Sequence, residues 1–140
     1  MEVQGLGHVV LKVRDRHRSE AFYSGVLGMR IISRISDPPM TFFSLGTQGS
    51  HHDFAVMELG PTATAPEQDA TGLAHVAFNV GSSVEALRLA REALHASATP
   101  VLYEADRAFT KSVHLFDPDG NEIELYIDVH GQSSDTENTR

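Results

Sequence analysis

The stretches that decide the fold are Gly7-His8-Val9-Val10-Leu11-Lys12-Val13 and Ala74-His75-Val76-Ala77-Phe78-Asn79-Val80, which overlay at an offset of 67 residues. A second match sets Met57-Glu58-Leu59 over Ile123-Glu124-Leu125, at an offset of 66. Two matches with nearly the same spacing mark an internal repeat. Residues 5–60 and 72–128 therefore read as two copies of one unit.

Each copy opens on a strand of alternating pattern and continues into a helix. In the first, Asp15 is placed to cap a helix carrying Phe22 with Val26 and Tyr23 with Leu27, and Gly28 supplies its stop. In the second, Ser82 or Ser83 caps a helix whose Val84, Leu87, Ala90 and Leu94 form an apolar stripe. Short strands follow near 30–36, 40–45 and 52–59, and near 99–103, 112–116 and 121–127. Asp117-Pro118-Asp119-Gly120 makes the turn between the last two. The expected unit is βαβββ, and the fold class is α+β. Two such modules would make one curved, mixed, mainly antiparallel sheet. Residues 1–130 read as a single domain with a linker at 61–71, and 131–140 as a disordered polar tail.

Strand parity separates core from site, since alternate side chains face opposite sides of a sheet. Val9, Leu11 and Val13 share one face and leave His8, Val10 and Lys12 on the other. Val76, Phe78 and Val80 likewise oppose His75, Ala77 and Asn79, while Ile123, Leu125 and Ile127 oppose Glu122, Glu124 and Tyr126. The apolar faces meet the helices. His8, His75 and Glu124 are left on the polar faces, where two imidazoles and a carboxylate can bind one side of an octahedral ion and leave positions open. With no cysteine in the chain, a metal is held by imidazole and carboxylate, which points to iron, manganese, nickel or zinc.

Composition narrows the partners. A formal charge of −8, with eleven scattered Lys and Arg, disfavours nucleic acid. No apolar run approaches the roughly 20 residues of a membrane span, and the N-terminus lacks the pattern of an export signal, so a cytoplasmic, membrane-free protein is expected. Of the eight histidines, His17 and His95 fall on helices among polar neighbours and His130 in the tail. Phe42, Phe43 and Tyr103 read as core. Asp117, Asp119 and Asn121 read as turn chemistry, since DPDGN lacks the full loop of a calcium-binding EF-hand.

The segments GHVVLKVRD (7–15), AFYSGVLGM (21–29), GLAHVAFNV (72–80) and FDPDGNEIELY (116–126) resemble the vicinal oxygen chelate superfamily over about residues 5–128. That family includes extradiol ring-cleaving dioxygenases, glyoxalase I, methylmalonyl-CoA epimerase and antibiotic-resistance proteins. The resemblance implies two paired βαβββ modules around a divalent metal, with the substrate chelated through neighbouring oxygens. It also puts His8, His75 and Glu124 on the ligand positions.

Two branches offer different chemistry. Ser50-His51-His52-Asp53-Phe54-Ala55-Val56 resembles the strand of extradiol dioxygenases that carries an acid–base histidine, and parity selects His52. Lys111 to Asp117 resembles another dioxygenase strand, with His114 where that branch usually has tyrosine and Arg107 about where a histidine is expected. His114 is the second acid–base candidate. In the glyoxalase I branch a carboxylate at the position of Glu58 completes a four-ligand site, although a Glu at a strand end also reads as a solvated edge residue. The leading expectation is an Fe(II)-dependent extradiol dioxygenase-like enzyme, a homodimer acting on a catechol-like or other vicinal-oxygen compound. The alternatives are a glyoxalase-like lyase or isomerase, or a metal-free protein that sequesters a drug or aromatic ligand.

Overall fold

A computed structural model describes residues 1–46 and 53–129. Along the chain run β1 (Val9–Val13), α1 (Arg16–Glu20), β2 (Arg30–Ser36), β3 (Pro39–Ser44) and β4 (Phe54–Glu58). The same order returns as β5 (Val76–Gly81), α2 (Val84–Ala96), β6 (Val101–Asp106), β7 (Thr110–Phe116) and β8 (Glu122–Asp128). Both halves thus have the expected βαβββ pattern. The strands hydrogen-bond into two mixed four-stranded sheets, ordered β1-β4-β3-β2 and β5-β8-β7-β6, and neither closes into a barrel. In each, the first strand runs parallel to the last.

Two compact units result. Of the described residues, one comprises those of Met1–Gly72 with the turn Phe116–Asn121; the other comprises Leu73–Leu115 with Glu122–Val129.

In the first unit, Asp15 caps α1 as expected, its side chain accepting from the backbone N–H groups of His17 and Arg18. The helix then widens into a π-helical turn over Ala21–Val26. That widening is the main departure from the expected four-residue spacing. It turns two consecutive aromatics, Phe22 and Tyr23, into the core, where Tyr23 packs tilted against Phe54 at 4.7 Å between ring centroids. Gly28 ends the segment at φ +75°, the left-handed conformation that glycine adopts without strain.

In the second unit, Ser83 is the cap residue of α2. Leu87 and Leu94 are fully buried, but Val84 is 62% exposed and does not belong to the stripe. Ala86, in the first helical turn, takes the place next to the end of β5. There Gly81 sits so close that an added Cβ would come 2.8 Å from the Ala86 Cβ.

Parity holds on β1, β5 and β8, but not on β4, where the row of Phe54, Val56 and Glu58, expected toward the site, lies beside Val9, Leu11 and Val13 on the helix-facing side. Leu11 and Val13 on β1, and Ile123, Leu125 and Ile127 on β8, are buried, while Glu122, Glu124 and Tyr126 are only partly covered. Among the described residues no helix is long and apolar enough to cross a membrane.

Candidate functional site

The register of the parallel pairs positions the candidate ligands. On the second unit's sheet Val76 lies beside Ile123 and Ala77 beside Glu124. His75, one residue before β5 and on the Ala77 side, is thereby brought to Glu124. Its Nε2 lies 3.1 Å from Glu124 Oε2. Adjacent ligands with metal bonds of about 2.1 Å stand roughly 3.0–3.4 Å apart, so this separation suits two ligands of one ion as well as a hydrogen bond. The donor set fits a divalent cation. Among the described residues, however, no three His, Asp or Glu side chains are gathered so as to hold an ion by themselves.

His114, on β7, comes to the same carboxylate. It is 2% exposed, with Nε2 3.7 Å from Glu124 Oε1, beyond hydrogen-bond reach, and 3.3 Å from Ser112 Oγ. Its Nδ1 lies 2.9 Å from Glu122 Oε1, and its ring meets that of His75 edge-on at 5.6 Å. Tyr103 is not core: it is 49% exposed on the edge strand β6. Its ring stacks on His114 at 4.2 Å and 15°, and its hydroxyl donates to Glu122 Oε1 at 2.6 Å.

Electrostatics follow this wiring. The hydrogen bond from Tyr103 holds the Glu122 carboxyl below its ordinary range against the opposing effect of burial, with help from His114. The same bond pushes the Tyr103 hydroxyl up to about 12. Tyr103 and Glu122 are functional candidates that sequence reasoning missed. The signal for Glu122 was its place two residues before Glu124 on the same polar face; Tyr103 gave none, because its partner is set by the β6–β7 register, with Tyr103 opposite His114.

In the first unit, His8 directly precedes β1, as His75 directly precedes β5. Glu58 lies elsewhere. It pairs with Val13, on the helix-facing row, and its Oε2 accepts the backbone N–H of Arg16 at 2.8 Å, at the start of α1. Together with Asp15 it satisfies the N–H groups of the first helical turn. Register also revises the repeat: Val10, the counterpart of Ala77, pairs with Ala55, so Ala55 and not Glu58 is the first unit's equivalent of Glu124. His52 lies outside the described residues. The row chosen for it by parity continues as Phe54 and Val56, both fully buried.

The DPDGN turn proves more connected than turn chemistry alone requires. Asp117 Oδ1 accepts from the N–H groups of Asp119 and Asn121, while its Oδ2 accepts from Asn121 Nδ2 and, at 2.7 Å, from the buried Tyr23 hydroxyl. Asp119 Oδ1 takes Arg14 and Arg18 at 3.1 and 3.0 Å.

Comparison with known proteins agrees with this architecture. The chain is 30% identical over 125 residues to the catechol-2,3-dioxygenase of Bacillus subtilis (strain 168), a match that takes in 88% of this chain but only 41% of that protein. It is 32% identical over 121 residues to the lactoylglutathione lyase of Salmonella typhimurium, covering 84% of this chain and 88% of the lyase. Among solved structures, a glyoxylase/bleomycin resistance protein/dioxygenase domain from Frankia sp. EAN1pec superposes with a TM-score of 0.77 at 22% identity, covering 93% of this chain and 96% of that one. The fosfomycin resistance protein FosX of Listeria monocytogenes gives 0.67 at 22%, over 90% and 94%. With both halves built as βαβββ units and residues 5–125 matching its family profile, the chain belongs to the Glyoxalase/Bleomycin resistance protein/Dioxygenase superfamily.

Proposed function

We propose that the protein is a metal-dependent enzyme acting on a small substrate through two neighbouring oxygens, and that its reaction is extradiol ring cleavage of a catechol-like compound. The ligands in this reading are His8, His75 and Glu124, and the metal is Fe(II). The observation that carries it is the engagement of Glu58 with the Arg16 N–H on the helix-facing row, which supports leaving Glu58 out of the ligand set. Three ligands leave positions for both a chelating substrate and oxygen. When bound, the ion supplies those adjacent positions and Lewis acidity toward the substrate oxygens.

The chain's own residues then divide the work. His75 and Glu124 present an imidazole and a carboxylate at 3.1 Å. His114 takes at Nε2 the proton released when a substrate hydroxyl binds and returns it later, and its burial keeps bulk water away from that exchange. His52 is the second acid–base candidate in this reading. Assembly as a homodimer belongs to it too, since the edge strands β2 and β6 leave Ile35 and Leu102 exposed.

A second reading, a glyoxalase-like lyase or isomerase using nickel or zinc, is favoured by the match over 88% of the lyase's length. Oxygen uptake by the Fe(II)-loaded protein with a panel of catechols separates them. Ring cleavage with oxygen consumed is expected; turnover of the hemithioacetal of methylglyoxal without oxygen, and none of any catechol, would sink the dioxygenase reading.

A further inference from the structure

We propose that Arg107 is a specificity-determining residue of the second unit, selecting catechol-like substrates that carry a carboxylate on the side of the ring away from their paired oxygens. The inference deepens the reading of that unit as the place where such a substrate chelates the ion, and rests on it.

The face on which Arg107 stands is fixed by its neighbours, since successive residues of β6 point to opposite sides of the sheet. Glu104 reaches α2, where Arg91 Nε donates to its Oε1 at 2.8 Å, so Glu104 and Asp106 belong to the helix side. Tyr103 and Ala105 belong to the other side, opposite His114 and Ser112. Arg107 continues that row, held in the hairpin by its backbone N–H, which donates to the Thr110 carbonyl at 2.8 Å. The row thus begins with the ring stacked on His114 and ends with a guanidinium. Between them Ala105 and Ser112 are small and stand little above the sheet.

Charge singles the residue out. Of the four Lys and Arg side chains in the second unit's described residues, three are tied to carboxylates: Arg88 to Glu85 and Glu92, Arg91 to Glu104, and Lys111 to Asp106. Arg107 has no such partner among the described residues. The carboxylates of its own face are engaged by other groups: Glu122 by Tyr103 and His114, Glu124 by His75, and Asp128 by Asn79. Its positive charge is felt at the Tyr103 hydroxyl, where it opposes the upward push of Glu122, so the guanidinium leans back along the row toward the site.

Reach and chemistry then select the ligand. From His114 to Thr110, which faces Arg107, the strand covers about 13 Å, a gap that the long arginine side chain narrows to the size of a substituted aromatic ring. A planar guanidinium presents parallel N–H donors that match a carboxylate. One positive charge on a face that also carries Glu122 and Glu124 suits a monoanion better than a phosphate dianion.

Calorimetric binding to protein loaded with Zn(II), which has no redox chemistry and so does not oxidise a diol, tests this with two probes, dihydrocaffeate and its uncharged methyl ester. The wild type should bind the acid about ten-fold more tightly, the scale of a hydrogen bond to a charged group. Arg107→Gln should bring the acid to the affinity of the ester, and Arg107→Lys, which keeps the charge without the fork, should restore part of the difference. In ¹⁵N spectra the Arg107 Nε–H resonance should move with the acid and stay in place with the ester. Equal affinity of the wild type for the two probes overturns the proposal while leaving chelation intact, as does a preference for the acid that survives in Arg107→Gln. Binding of neither probe, or failure to retain Zn(II), defeats the chelation reading itself and the proposal with it.

Discussion

Replacing Tyr23 by Phe removes a single oxygen atom from a fully buried ring whose hydroxyl donates to Asp117 at 2.7 Å. Burial, reinforced by Asp117, holds that hydroxyl far above the ordinary tyrosine range, so it remains a donor at every accessible pH. A hydrogen bond to a charged acceptor is worth about 1.5–3 kcal/mol. In Tyr23→Phe the carboxylate keeps the N–H groups of Asp119 and Asn121 on Oδ1 and Asn121 Nδ2 on Oδ2, so neither oxygen is orphaned. The cost should fall at the low end, about 1.5 kcal/mol. Asp117→Ala is different, because it strands the buried hydroxyl and strips the turn of its acceptor, for about 3–5 kcal/mol. In the Asp117→Ala background the second change, Tyr23→Phe, should cost nothing or gain slightly, since the hydroxyl no longer has a partner to lose. Urea denaturation of the wild type, both single variants and the double variant gives the coupling directly. Equal cost of Tyr23→Phe in both backgrounds would refute the account of the turn as an anchor for the π-helical segment.

Acid should unmask a second set of contacts. The Arg34 guanidinium, aided by Thr41, holds Glu20 below its ordinary range, and the Tyr103 hydroxyl does the same for Glu122. Carboxylates depressed in the folded state contribute stability that is complete above the unfolded value of about 4.3 and fades as pH falls through the lowered folded values. Thermal melts should thus show Glu20→Gln well below the wild type at pH 7 and converging on it near pH 3; a constant gap would mean the Arg34 pair is not the cause. Gly81→Ala forces a Cβ into Ala86 at φ +142° and should cost about 1–3 kcal/mol, whereas Gly25→Ala, with nothing within 4 Å, should not lower the melting temperature. His52→Ala should retain the metal and slow turnover by about 10²-fold, the scale of an acid–base contribution, while His17→Ala changes neither; full activity in His52→Ala would leave His114 as the acid–base group.

Legibility in the sequence tracked how local the cause was. Strand faces came through because period-two alternation is written residue by residue: Ile123, Leu125 and Ile127 went inward, and Glu124 outward. Caps at Asp15 and Ser83 came through for the same reason. Register did not, because it depends on which residues face each other across strands. The likeness of Met57-Glu58-Leu59 to Ile123-Glu124-Leu125 is one of composition, and pairing to β1 puts Glu58 beside Val13. The stack of Tyr103 on His114 needs the same cross-strand information. The widened turn at Ala21–Val26 is a packing solution that brings Phe22 and Tyr23 inward together, and no periodicity of the segment announces it.

The most direct test of the central claim is metal content, measured by elemental analysis after reconstitution with Fe(II) and removal of excess, in the wild type, Glu124→Ala and Glu58→Gln. The account predicts one ion per chain in the wild type and in Glu58→Gln, whose lost charge affects only the start of α1, and little or none in Glu124→Ala, which keeps two neutral imidazoles without their anionic partner. Metal retained in Glu124→Ala but lost in Glu58→Gln would contradict it.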